Sequence, residues 1–238
     1  MVQGEHALPN DPGHIAFPPG MGGLQAPGLY LLFPNGHRID LTRERIESKT
    51  EQFLNDPALI PDSVKAAATY APCAICPERH TARICHAIMP ILPFIEQVAD
   101  YMSYDEVTAI YRERDQPLWH GKQTTMQQAL QCITILSLTE YCEVGRTYQV
   151  YFRGINPLMP PDEIAARVYR NIFWEHRGQM DAVRDVITRM RHEITITATC
   201  QIERLRLICS SDAFINAFVN TQVSVEFLLV ELAQYASD

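Results

Sequence analysis

The stretch GLYLLFPNGHRIDL, residues 28–41, decides the fold of this chain more than any other. Its first half is apolar and aromatic, and its second half alternates between polar and apolar side chains from His37 to Leu41. Pro34, Asn35 and Gly36 separate the two halves, and an Asn-Gly pair between such runs is a strong signal for a tight hairpin turn. The stretch therefore predicts two antiparallel strands joined at this turn.

The hairpin is expected to gain a third strand from residues 105–114, which alternate around Val107, Ala109 and Tyr111. Apolar side chains at helical spacing predict a mostly helical body. Helices are predicted at residues 84–102, 124–142, 162–176, 179–208 and 212–233, with Thr124 or Thr125 and Asp162 as N-caps, and residues 43–53 can form a further short helix. We therefore expect an α+β protein, in which a small antiparallel sheet of about three strands packs on about five helices.

The composition predicts one domain and a tail. Residues 1–27 are rich in proline and glycine and lack apolar periodicity, so we expect a disordered tail. With 47% apolar residues among 238, residues 28–238 are expected to form a single α+β domain with a sizeable core.

The same composition limits the partners and the location. The net charge of -8 disfavours nucleic-acid binding, which needs a basic surface. No secretory signal and no stretch of about 20 apolar residues is visible, so we expect a cytoplasmic protein without a membrane span.

The densest group of soft metal ligands is CAICPERHTARICH, residues 73–86. A Cys-x-x-Cys turn lets Cys73 and Cys76 bind one metal ion, and Cys85 reaches the same ion if the chain folds back. A fourth ligand must come from His80, His86 or a distant cysteine. Seven cysteines in a reducing compartment favour metal or redox chemistry over disulfides. The pattern predicts a site for zinc or an iron–sulfur cluster.

The distant cysteines differ in how well they fit this site. Cys142 ends the predicted central helix and is the best fourth ligand, whereas Cys132 lies among apolar residues and is expected in the core. Cys200 and Cys209 are nine residues apart on one helix, about 13.5 Å along its axis, so they cannot share an ion. The alternative interpretation treats all seven as ordinary buried cysteines, since free cysteine is among the most buried residue types.

These motifs resemble an uncharacterised bacterial family, one of the domains of unknown function. The shared features are a Cys-x-x-Cys-Pro segment, a third cysteine before a helix, a central helix ending in a fourth cysteine, and a C-terminal Asp-Ala-x-x-Asn-Ala motif. The matching residues here are Cys73, Cys76, Pro77, Cys85, Cys142 and residues 212–217. After Cys142 the family tends to have proline where this chain has Glu143. The resemblance implies no activity, but it implies that the four cysteines act as one unit.

Three functions are compatible with the sequence. The leading hypothesis is a metal-centred binding or interaction module with a structural or sensory role, held by Cys73, Cys76, Cys85 and Cys142. The second is a redox or metal-dependent enzyme in which His80 or His86 leaves an open coordination position. The third is a metal-free helical scaffold for a homo-oligomer or protein partner, because the stripe Met180, Val183, Ile187, Met190 and Ile194 needs a surface to pack on. Packing within the chain against the helix at 124–142 is the alternative for this stripe.

Overall fold

The structure is a computed structural model that describes residues 26–70, 73–92, 101–113 and 118–207. The predictions for residues 1–25, for the whole helix at 212–233 with its motif at 212–217, and for Cys209 lie outside these residues. The same holds for residues 93–100 of the helix predicted at 84–102. The described chain has an α+β architecture, as predicted from the sequence.

Within the part of the chain that the structure describes, the sheet has four antiparallel strands in the order β2-β1-β3-β4. Its strands are β1 (Gly28–Leu32), β2 (Arg38–Thr42), β3 (Glu106–Arg112) and β4 (Trp119–Thr125). The predicted hairpin is confirmed, and Gly36 adopts a φ of 83° in its turn, a left-handed conformation that glycine adopts without a side-chain clash. The predicted strand at 105–114 is also confirmed, since β3 pairs with β1.

In the described residues, the helical body contains six α-helices. They are α1 (Arg43–Asn55), α2 (Asp62–Thr69), α3 (Met126–Leu136), α4 (Glu143–Arg146), α5 (Pro161–Glu175) and α6 (Met180–Arg206). A π-helical turn, Ser137–Tyr141, follows α3 directly, and short 3-10 turns occur at Pro57–Leu59, His86–Ile88 and Gln149–Phe152.

The helix starts follow local chemistry. Thr125 caps α3 as predicted, and its Oγ1 accepts a hydrogen bond from the Gln128 backbone N–H at 3.4 Å. The predicted Asp162 cap of α5 is wrong, because Pro161 already occupies the first helical position. Proline suits that position since its fixed φ is helical and its missing N–H has no partner there.

Two predictions about the middle of the chain need correction. The helix predicted from residue 84 is absent over residues 84–91, which form turns and the His86–Ile88 3-10 helix, and Leu92 is the first described residue of this segment in an α-helical conformation. Pro90 has no backbone N–H to donate to an α-helical ladder. Two elements were not predicted from the sequence: strand β4 and helix α2, which begins directly after Pro61.

One face of the sheet and α3 form the main apolar core. Leu29, Leu31 and Ile39 from the hairpin pack there with Leu130 and Ile133 of α3, and all five are nearly inaccessible to solvent. Ile202 and Leu205, near the end of α6, belong to the same core.

A second apolar core forms around the first half of α6. Val183, Ile187, Met190 and Ile194 of the predicted stripe are buried against α5 and the turn at residues 148–151. The predicted packing against the helix at 124–142 is present, since Leu138 and Ile135 belong to this core, and α5 packs there as well. The stripe is therefore covered by its own chain. Among the described residues, no helix is both long and apolar enough to cross a membrane.

We predict that Gly145→Ala strongly destabilises the protein. A Cβ at residue 145 would lie 1.7 Å from the backbone oxygen of Leu138, which cannot move without distorting the π-helical turn. The loss in unfolding free energy should exceed about 3 kcal/mol, the upper end of the usual range for overpacked cores. Chemical denaturation measures this loss. Gly121→Ala is the control, since a Cβ there meets open space, and equal stability of the two variants would contradict the prediction.

Candidate metal centre

The Cys-x-x-Cys segment is a tight turn. The Cys76 backbone N–H donates to the Cys73 oxygen at 3.0 Å, and the Arg79 N–H donates to the Cys76 oxygen at 3.1 Å. Further along the loop, the Cys85 N–H donates to the Ala68 oxygen of α2 at 3.2 Å. This hydrogen bond places Cys85 beside the end of α2.

Cys142 lies near this loop, at the point where the central helix ends in a π-helical turn. The π-helical turn ends at Cys142, whose backbone N–H donates to the Ser137 oxygen at 2.9 Å. Such turns inside helices are rare and frequently occur at functional sites. Cys142 packs with Cys85 and Ile75 in one small apolar cluster, although Cys85 and Cys142 are 57 residues apart.

Cys200 of α6 is a fifth member of this group. Its thiol and that of Cys73 share a hydrogen bond, and Cys73 also interacts electrostatically with Cys76 and Cys142. Cys85 interacts in the same way with Cys200, and Cys142 with Cys76 and Cys85. The four predicted cysteines therefore converge, and Cys200 joins them from a third part of the chain.

The sequence analysis missed Cys200 because it compared this residue only with Cys209 on the same helix. Helical spacing correctly excludes that pair from sharing an ion. It carries no information on whether Cys200 faces the loop at 73–86, since that contact depends on how α6 packs against the rest of the chain. The sequence held no local signal for this contact, since the neighbouring Thr197 and Gln201 are polar residues whose burial only the structure shows.

The thiols of the group differ in acidity. Burial raises the pKa of Cys142 to about 11 and also raises the pKa of Cys85. The hydrogen bond between Cys73 and Cys200 raises the pKa of Cys73 and lowers that of Cys200 to about 6, with the nearby Arg204 charge also favouring the Cys200 thiolate. This hydrogen bond therefore favours ionisation of one thiol of the pair, Cys200, over the other.

Arg204 brings a buried positive charge to the group. Its side chain is fully buried, Nη1 donates to the Ala67 oxygen at 2.9 Å, and the guanidinium lies 5.3 Å from the centre of the Tyr70 ring. Burial raises the pKa of Cys85, and the Arg204 charge offsets part of that rise; the same charge helps to lower the pKa of Cys200. A buried guanidinium needs compensating negative charge or hydrogen bonds, and the Ala67 oxygen accepts one of these hydrogen bonds.

The sulfur spacing bears on the kind of metal. Four thiolates on one zinc ion, each at about 2.3 Å, are about 3.8 Å apart in a tetrahedron. Within the part of the chain that the structure describes, no three cysteine sulfurs all lie within 4.8 Å of one another. The sulfurs as a set are therefore more widely spaced than a single ion requires.

The two histidines named as alternative ligands lie differently. His80 is exposed on the loop. His86 directs Nδ1 toward two carboxylates, 3.3 Å from Glu143 Oε1 and 3.9 Å from Glu78 Oε2. The structure thus brings His86 together with Glu78 and Glu143, two residues that the sequence analysis did not select.

The π-helical turn also lines a cavity of about 310 Å³. Thr139, Glu140 and Tyr141 form part of its wall, facing Tyr111 of β3 and Arg153. The volume falls at the lower end of the range for small-molecule pockets. Because Tyr141 precedes Cys142 in the chain, this cavity lies one residue along the backbone from the cysteine group.

The comparisons with known proteins agree with the resemblance expected from the sequence. Residues 30–234 match the model of DUF6901, a domain of unknown function, and the chain belongs to this family. No curated protein and no solved structure gives a significant match.

We predict that Cys200 is the most reactive thiol of the metal-free protein. A pKa near 6 makes it a thiolate above that pH, and the thiolate is the nucleophile in alkylation. Iodoacetamide labelling followed by peptide mass spectrometry should modify Cys200 first, with a midpoint near pH 6. Cys132, whose pKa burial raises to about 12, is the control and should stay unmodified at pH 7. Equal rates at the two positions would refute the prediction.

Proposed function

We propose that this protein is a metal-centred binding or interaction module, in which Cys73, Cys76, Cys85 and Cys142 hold an iron–sulfur cluster or a zinc ion. The observation that carries the proposal is the convergence of these four cysteines from the loop and from the end of the π-helical turn. Four thiolates from two distant segments are a usual ligand set for such centres.

The sulfur spacing favours an iron–sulfur cluster over zinc. In a four-iron cluster, each cysteine binds a different iron atom, so the sulfurs stand further apart than on one ion. The absence of any trio of sulfurs within 4.8 Å among the described residues fits this wider arrangement. A zinc ion would require the loop at 73–86 to move inward.

The surroundings also suit an anionic thiolate centre. Buried thiols with raised pKa values resist ionisation on their own, and a bound metal deprotonates them outright. The buried Arg204 charge offsets part of the negative charge that results. Cys200, beside Cys73, supplies either a hydrogen bond to the centre or a replacement ligand.

The proposed role is structural or sensory. The centre would connect the loop at 73–86 to the π-helical turn, with α6 alongside through Cys200. Binding free energy at such a centre is folding free energy, because the unfolded chain has no preformed site. Loss of the metal would therefore loosen three parts of the chain at once, which is how a sensor transmits its state.

A second candidate is a redox or metal-dependent enzyme. The cavity lined by Glu140 and Tyr141 favours it, since a pocket one residue from a metal ligand gives a substrate access to the centre's surroundings. The mixed Cys/His site with His80 or His86 has less support, because His86 Nδ1 contacts carboxylates.

Location and partners complete the proposal. A reduced thiolate centre fits a cytoplasmic protein, where disulfides are rare. A homo-oligomer or protein partner remains part of the proposal, although the stripe of α6 that suggested an interface is buried against α5.

We predict that serine at Cys73 or Cys142 releases the metal. Protein purified without oxygen should contain iron with visible absorption, or zinc without it. Each variant should lose most of its metal and more than about 3 kcal/mol of unfolding free energy, because one ligand fewer weakens a site whose affinity stabilises the fold. Elemental analysis, absorption spectra and thermal denaturation measure these losses.

Cys132→Ser is the matched control for this experiment. Cys132 is buried in the main core, so its replacement should keep the metal and cost only roughly 1–3 kcal/mol for a hydroxyl in an apolar site. Wild-type protein with well under one equivalent of any transition metal, together with unchanged melting of the Cys73 and Cys142 variants, would overturn the proposal.

A further inference from the structure

A second group of metal-ligating side chains lies beside the cysteines in the chain. Glu78, His86 and Glu143 each offer one ligand atom, and these three atoms all lie within 4.8 Å of one another. They come from the loop after Cys76, from the start of the 3-10 turn and from the first residue of α4. His86 follows Cys85 and Glu143 follows Cys142 in sequence, so the fold that gathers the cysteines gathers this group as well.

The spacing of the ligand atoms suits one ion. Two donors at about 2.1 Å from a metal are about 3.0 Å apart in an octahedron and about 3.4 Å apart in a tetrahedron. His86 Nδ1 lies 3.3 Å from Glu143 Oε1 and 3.9 Å from Glu78 Oε2. Small side-chain rotations bring all three atoms to one ion. The cysteine sulfurs, by contrast, are separated by larger distances.

The charges also suit an ion. Two carboxylates this close repel each other, and a divalent cation between them makes the group neutral. Arg146 Nη1 donates to the same Glu143 oxygen at 3.0 Å, but its side chain is 53% exposed and can turn into water when an ion binds. The alternative is a purely structural contact, in which protonated His86 bridges the two carboxylates.

We propose that Glu78, His86 and Glu143 form a second metal site, one for a first-row divalent ion such as Mn²⁺ or Fe²⁺. Two carboxylates and one imidazole are a hard to borderline ligand set, which suits these ions better than the soft ions that thiolates select. Three protein ligands leave coordination positions for water or an anionic ligand, the arrangement typical of catalytic rather than structural sites. The proposal is independent of the thiolate centre.

Mn²⁺ is the probe that tests this site. Its free aqueous ion gives a six-line electron paramagnetic resonance signal that disappears on binding, and as a hard ion it avoids thiolates. Titration of the full chain, as purified, should show one bound Mn²⁺ per chain. Glu78→Gln and Glu143→Gln keep the side-chain shape and should each weaken binding at least about 10-fold, the lower end of the effect of altering even an outer-shell partner.

Two controls make the outcome decisive. Glu163→Gln removes a similarly exposed carboxylate, ion-paired with Arg167 at 2.8 Å on α5, and should leave Mn²⁺ affinity unchanged. The Cys73→Ser variant should still bind Mn²⁺ if it remains folded, which separates this site from the cysteines.

Other results would overturn the proposal. They are no stoichiometric Mn²⁺ binding by the wild type, binding by both glutamine variants with wild-type affinity, or an equal loss in Glu163→Gln. Metal content of the cysteine centre, measured on the same samples, reports separately on the proposed function. A protein that lacks the thiolate centre but binds Mn²⁺ at this site would refute one proposal and support the other.

Discussion

The packing of α6 is the constraint on which the rest of the described structure depends. Its first half fills the core against α5, and its second half contributes Ile202 and Leu205 to the core beneath the sheet. Between and beside these apolar contacts, Gln201 donates to Ser137 Oγ at 3.1 Å, and Ser137 Oγ in turn donates to the Ala87 backbone oxygen. Helix α6 therefore fixes the π-helical turn, and through it the loop that carries Cys85, in one arrangement.

Buried polar groups on α6 make that arrangement specific. Apolar side chains tolerate small shifts along a helix, whereas a buried guanidinium or amide loses its hydrogen bonds when it moves. Arg204 is bonded to Ala67 of α2, and Gln201 to the π-helical turn. Cys200 lies next to Gln201 on this same section of the helix, so the contacts that set the helix position also set the distance between Cys200 and Cys73.

The sequence predicted those parts of the fold whose signals are local. The hairpin followed from Asn35 and Gly36, and α3 followed from the Thr125 cap and the apolar period after it. The strand β4 gave no such signal, because it pairs only with β3 at the sheet edge and its polar middle, Gly121 to Gln123, is exposed. Helix α2 was not predicted, because Pro61 precedes it directly and because its run of alanines gives no clear alternation between an apolar and a polar face.

In the candidate site too, the sequence predicted what depends on local spacing and did not predict the contacts that depend on tertiary packing. Spacing in the segment 73–86 was enough to select three cysteines, and Cys142 followed from the end of the central helix. The pairing of Cys200 with Cys73, and of His86 with Glu78 and Glu143, depends on contacts between segments far apart in sequence. Ligand type then separates the two groups, because sulfur and carboxylate select different ions. Cys85 and His86 are adjacent in sequence, and so are Cys142 and Glu143. Each pair contributes its cysteine to the thiol group and its other residue to the group of carboxylates and imidazole. The same contacts between segments therefore assemble both groups side by side.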